Sequence, residues 1–190
     1  MFKATHIRRV ALGLAATLVA SASALAQSTI LVVDTAKVYN DSSVGKHVAR
    51  QVESMRSSTE SQLKAQASPL ESRGKSLQSQ TTGKTNQQIL QDASLKSQLE
   101  SFQKDTVKLQ QDAMIAQREL QITEAKARQL VTAKMKSIID QIARERNADV
   151  VLEKQLVIYG EPADITSTVL SRLNSQMTTV PVTRERLPRG

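Results

Sequence analysis

No cysteine and no tryptophan occur in the 190 residues, and aromatic side chains make up only 2% of them. Without cysteine there is no disulfide, no thiol nucleophile and no attachment point for an N-terminal lipid, so stability must come from packing or assembly. With so few aromatics and a hydrophobic fraction of 39%, a thick globular core is not expected. The stacking platforms that hold unpaired bases are missing too, which argues against a nucleic-acid partner despite a pI near 9.9. Beyond the first residues the only histidine is His47, near Ser43 on what reads as a helix surface without a pocket, a poor setting for a nucleophile and its base. Gly83-Lys84-Thr85 lacks the upstream glycine of a phosphate-binding loop, and no cluster of metal-ligating residues is apparent. The expectation is a non-enzyme with no catalytic residue, cofactor or metal.

Long apolar runs are also scarce. The one from Val10 to Val19 is about half of the roughly 20 residues that a membrane-spanning helix needs. Lys3, Arg8 and Arg9 precede it and Ala24-Leu25-Ala26 follows it, the order of a cleavable export signal. Residues 1–26 are therefore read as a signal peptide cut near Ala26, and the product as a periplasmic, soluble protein.

What the chain has in quantity is helix. Leu99, Phe102, Thr106, Leu109, Ala113, Ala116, Leu120, Thr123, Ala127 and Leu130 alternate in steps of three and four, a thin seam on one side of a long helix. No proline or glycine lies between Thr85 and Arg146. A seam this narrow needs a partner, and the preceding segment supplies one. Val44, Val48, Val52 and Met55 pin its base; farther out the stripe thins to Leu63, Leu70 and Leu77, with Thr59, Gln66, Arg73 and Gln80 where a full seam would have apolar groups. Pro69 and Gly74 fall in this first arm and suggest a hinge near Ser68. Thr81 to Asn86 is the turn signal, so residues 44–147 are expected to form an antiparallel coiled-coil hairpin, a projecting arm with its tip about 81–86. The arm is basic, with 17 Lys and Arg against 11 Asp and Glu between Lys46 and Arg146.

The remaining pieces are short. Thr29 to Val33 is β-branched and strand-like, followed by Asp34 as cap of a brief helix. Asn147 is placed to end the long helix in the left-handed conformation. Asp149 to Glu153 and Leu156 to Gly160 read as two strands of a hairpin, and Ile165, Val169 and Leu173 line a last helix. Residues 27–43 and 148–176 would together form the β body, and residues 177–190 a disordered tail. The fold class expected is α+β, predominantly α, with a small antiparallel β body too thin to stand alone and completed by oligomerisation.

In this order the parts resemble the Skp/OmpH family of periplasmic chaperones. The resemblance rests on Ile30-Leu31-Val32-Val33-Asp34-Thr35-Ala36-Lys37-Val38-Tyr39 and on the block from Ile142 through Asn147-Ala148-Asp149-Val150-Val151-Leu152 and Val157-Ile158-Tyr159-Gly160 to Asp164-Ile165-Thr166. It implies a homotrimer whose arms enclose a cavity and hold unfolded outer-membrane proteins without ATP. On the arms the candidate client contacts are Leu63, Leu70, Leu77, Ile89, Leu90, Leu95 and Met114. Lys64, Arg73, Lys75, Lys84, Lys96, Lys104 and Lys108 would attract acidic clients over distance. Each leucine has a plainer role in packing the hairpin, and each charge a plainer one in solvating it. The rival function is a structural coiled-coil protein of the envelope that binds anionic lipopolysaccharide or a membrane surface; a depleted, proline-interrupted first arm suits a flexible holder better than a strut.

Overall fold

A computed structural model describes residues 28–189, so the expected signal peptide lies outside the described residues. The elements are β1 (Ile30–Val33), α1 (Thr35–Asp41), α2 (Ser43–Thr81), α3 (Asn86–Gln91), α4 (Ala93–Glu145), β2 (Val150–Glu153), β3 (Ala163–Asp164) and α5 (Thr166–Gln176), with a single 3₁₀ turn, Lys154–Leu156, after β2. Among the described residues no helix is long and apolar enough to cross a membrane.

The chain is predominantly helical with a small sheet, but that sheet is parallel, which corrects the antiparallel body expected from sequence. β1 is central, paired with β2 from Ile30↔Val150 to Val33↔Glu153 and with β3 from Leu31↔Ala163 to Val32↔Asp164. Two observations explain the difference. The apolar run from Leu156 to Gly160 never pairs as a strand: Leu156 ends the 3₁₀ turn, Gly160 takes a φ of 101° and Pro162 follows it. The hairpin also has unequal legs. Arg73 meets Asp105 and Gly74 faces Phe102, a spacing that puts Ser43 level with about Met135. Helix α4 therefore overshoots the base of α2 by about ten residues, roughly 15 Å. A four-residue strand is roughly 13 Å long, so the overshoot is sufficient to return the chain to the N-terminal end of β1, where the Asp149 N–H donates to the Thr29 carbonyl and β2 sets off parallel to β1.

Local chemistry fixes the joints. Asp34 caps α1 by accepting from the Lys37 N–H at 2.7 Å, and Ser42 caps α2 by accepting from the Gly45 N–H at 3.0 Å. Gly45 is obligatory in space: a Cβ there would sit 1.8 Å from the Tyr39 carbonyl oxygen. The second leg is not one unbroken helix from Thr85, as the lack of proline and glycine suggests. Thr85 and Gln88 close a capping box on α3, and the Asp92 carboxylate then accepts from the Leu95 N–H at 2.9 Å and starts α4 afresh; a well-placed aspartate competes with the helix it interrupts. Asn147 ends the long helix with a φ of 50°.

The core sits where the arm enters the body. Leu31, Val33, Val38, Val44, Val48, Val52, Val131, Met135, Ile138, Ile142, Ile165, Val169 and Leu173 form one buried cluster. Farther out the contact thins to the seam. Its residues are buried or half-buried from Leu99 to Ala127, whereas Leu130 is 49% exposed and Val131 takes the inward place. The C-terminal segment, expected to be disordered, is ordered and extended over residues 177–189. Val180 is buried in the core cluster and its carbonyl accepts from the His47 ring at 3.2 Å, so His47 holds the chain end instead of facing solvent.

Candidate functional site

Three surfaces are built from these elements: the arm, the groove that the C-terminal segment occupies, and the end of the sheet. On the arm, the sequence-named apolar residues divide by exposure. Leu77 and Leu95 are buried between the legs of the hairpin and are withdrawn from the candidate contact surface. Leu63, Leu70 and Ile89 are half-buried, and Leu90 and Met114 are exposed at 65% and 63%. Leu63 lines a depression of about 420 Å³ with Val52, Thr59, Ala113 and Leu120. Helix α2 runs without a break through Pro69, and Gly74 makes room for the Phe102 ring, which lies 3.1 Å from where a Cβ would be.

The basic residues divide in the same way. Arg73 is spent on the hairpin, reaching Asp105 at 2.8 Å and the Gln98 carbonyl at 3.0 Å. Lys75 pairs with Glu71, Lys108 with Asp112, and Lys84 and Lys96 stand 3.8 and 3.9 Å from Asp92 and Glu100. These exposed pairs contribute little to stability. Lys64 and Lys104 are exposed with no acidic partner among the described residues.

The second surface escaped the sequence reading. Residues 180–189 lie along the junction of α2 and α4, and Glu119, fully buried, is the hub. Arg184 donates from Nε to Glu119 Oε2 at 3.1 Å and from Nη1 to Thr59 Oγ1 at 2.8 Å. The Leu187 N–H donates to Glu119 Oε1 at 3.1 Å, and the Glu185 N–H to Thr123 Oγ1 at 2.9 Å. Arg186 and Arg189 add charge at 3.6 and 3.8 Å, and Lys126 pairs with Glu185 at 2.8 Å. Burial pushes the Glu119 carboxyl up, but the Leu187 N–H, the Arg184 guanidinium and the charge of Arg186 outweigh it and hold the group below the usual glutamate value. A signal for this site exists in the sequence: Thr59, Glu119 and Thr123 are polar groups on the packed faces of the two legs, and buried polar groups require partners.

At the third surface, among the described residues no strand pairs with the outer edge of β2 or of β3, and the loop between β2 and β3 carries large apolar groups outward. Ile158 and Tyr159 are 100% and 98% exposed, with Leu156 beside them. The loop walls a depression of about 860 Å³ with Ile30 and Leu152. Lys154 and Asp164 close its ends by a 2.7 Å ion pair; that bond and the Thr166 hydroxyl and N–H lower the Asp164 pKa to about 2.

Comparison with known proteins now bears on these surfaces. A family model described as "Outer membrane protein (OmpH-like)" matches residues 29–173, which takes in the body and the whole arm and stops before the C-terminal segment. Among solved structures, an OmpH-like protein of Caulobacter crescentus CB15, described as an outer membrane chaperone, superposes with a TM-score of 0.71 at 23% identity. The match covers 85% of this chain and 93% of that one, and at that identity it speaks for the fold alone. Comparison with curated proteins finds no match.

Proposed function

Since this chain belongs to the OmpH-like outer membrane protein family, we propose that it is a periplasmic chaperone of the holdase kind, which keeps unfolded outer-membrane proteins from aggregating without ATP. The observation that carries the reading is the shape and finish of the arm. Helices of 39 and 53 residues reach roughly 60 and 80 Å, yet they bury only a narrow seam. The rest of their surface, with the short α3 between them, presents scattered apolar groups, Leu90 on α3 and Val107 and Met114 on α4, amid unpaired lysines such as Lys64 and Lys104. An unfolded barrel strand alternates apolar and polar side chains. Many weak contacts on a long basic wall suit such a client better than one tight pocket, and the net positive charge speeds its capture. Pro69, which removes one intrahelical donor, is assigned as the hinge of the first leg.

The chain is further read as a homotrimer. The support lies in the exposed Ile158 and Tyr159 beside the outer edges of β2 and β3, which no described strand pairs, surfaces of the sort that a second copy covers. The test uses the chain from Gln27 onward. Light scattering and sedimentation give its mass, and aggregation of a urea-diluted outer-membrane protein is followed at low and high salt. A trimer whose protection weakens in salt is the expected result; a monomer that leaves aggregation unchanged sinks the reading.

A further inference from the structure

The C-terminal segment sits in its groove as an extended polypeptide, held by contacts that read backbone and charge. Two N–H groups two residues apart, of Glu185 and Leu187, donate to Thr123 Oγ1 and Glu119 Oε1. Any extended chain offers donors at that spacing. The side chains add a simple pattern: Val180 is buried, Val182 packs on the core cluster, and Arg184 is clamped between Glu119 and Thr59, so alternate residues point inward and Pro181 and Thr183 face out. Nearer the arm tip, Arg189 pairs with Asp112 at 3.5 Å and joins Gln66, Leu70, Asp105 and Leu109 around a depression of about 360 Å³.

We propose that the groove between α2 and α4 is a binding site for extended polypeptide, that residues 183–189 are its resident occupant, and that an unfolded client segment carrying an arginine exchanges with them. The inference deepens the holdase reading and rests on it for the identity of the exchanging client. Its chemistry is that of the resident segment: backbone N–H donors for Thr123 and Glu119, and a guanidinium for a buried carboxylate that cannot be left unpaired without cost. Occupancy by the chain's own end keeps Glu119 satisfied between clients. It also sets a threshold, because a client must match the resident's contacts to displace it.

The experiment has two arms. A fluorescent peptide copying residues 183–190 is titrated by anisotropy against the full chain and against a chain ending at Val182, which retains Val180 in the core. Binding at least tenfold tighter to the shortened chain, lost again by at least tenfold on Glu119→Gln, is the expected result. Equal binding to both chains overturns the groove as a peptide site. In the second arm, which needs no truncation, amide exchange at Glu185 and Leu187 of the full chain is measured with and without an unfolded outer-membrane protein whose aggregation is scored in the same sample. Faster exchange on client addition supports displacement; a client held in solution with no change at these amides overturns it. A client that is not held at all removes the holdase reading and leaves the peptide titration to decide the groove.

Discussion

Arg184 and Glu119, 65 residues apart in sequence, meet at 3.1 Å with the carboxylate wholly out of solvent. Removing one partner of such a pair strands the other. Arg184→Ala should destabilise the chain by about 1–3 kcal/mol, short of the usual loss for a buried pair because Arg186 and Arg189 remain within 4 Å. Urea unfolding followed by circular dichroism measures it. An unchanged midpoint would mean that the segment is not docked in solution.

The same pair sets a pH dependence. Glu119 is held below its ordinary value of 4.5, so the unfolded chain binds more protons in this range and stability rises with pH. The contribution is complete above the unfolded value and is lost as pH falls through the folded one. Asp164, lowered from 3.8 to about 2, behaves alike but farther down. Urea midpoints taken from pH 6 to pH 3 should fall, and Glu119→Gln should flatten the upper part of that fall. A variant that declines as steeply as the parent would remove Glu119 from the account.

Two helical glycines should respond unequally to alanine. At Gly45 the new Cβ meets backbone at 1.8 Å, and relief requires moving α1 against α2, a loss of about 3 kcal/mol. At Gly74 it meets only the edge of the Phe102 ring at 3.1 Å, while helix propensity gains about 1 kcal/mol, so the net change should stay within about 1 kcal/mol. Thermal melting of the two variants side by side decides it.

Pro69→Ala tests the hinge. Restoring the N–H completes the helical ladder and should stabilise the first leg by about 1–3 kcal/mol, seen as slower amide exchange between Ala65 and Leu77. Exchange unchanged across that stretch would show that the proline is accommodated at no local cost, and the hinge assignment would fall.

Ile158→Ser with Tyr159→Ser tests self-association. Both side chains are almost wholly exposed, so the helical signal of the monomer should be unaffected while sedimentation shifts to smaller species. Unaltered mass would place the interface elsewhere.

Much of this architecture was legible because helices declare themselves locally. The seam from Leu99 to Ala127 and the β-branched run at Ile30 carry their periods within a few residues. The sense of the sheet was not legible: it depends on how far α4 overshoots α2, a difference between two distant helix ends that no local pattern encodes. Leu156 to Gly160 has strand composition without a strand to pair with, and composition alone cannot report a missing neighbour. The restart of the helix at Asp92 does not follow from the lack of proline and glycine, because a single capping side chain is enough to make it. The C-terminal groove was hidden for a different reason. Its acceptors, Thr59, Glu119 and Thr123, are polar exceptions in helices read by their apolar stripe, and the donors lie in a segment read as tail.

The central position of β1 has a consequence for the order of folding. Ile30 pairs with Val150, and Leu31 with Ala163, so the first of the described strands waits for the later two. The arm, whose legs are neighbours in sequence, closes by local contacts, whereas the body must bring residues 120 or more apart together before any sheet exists. Until then Leu31, Val32 and Val33 lack their strand partners, and Leu31 and Val33 the part of their cover that comes from Ile138, Ile142, Ile165, Val169 and Leu173. Contact order therefore predicts that the arm closes from its tip before the body that anchors it is assembled.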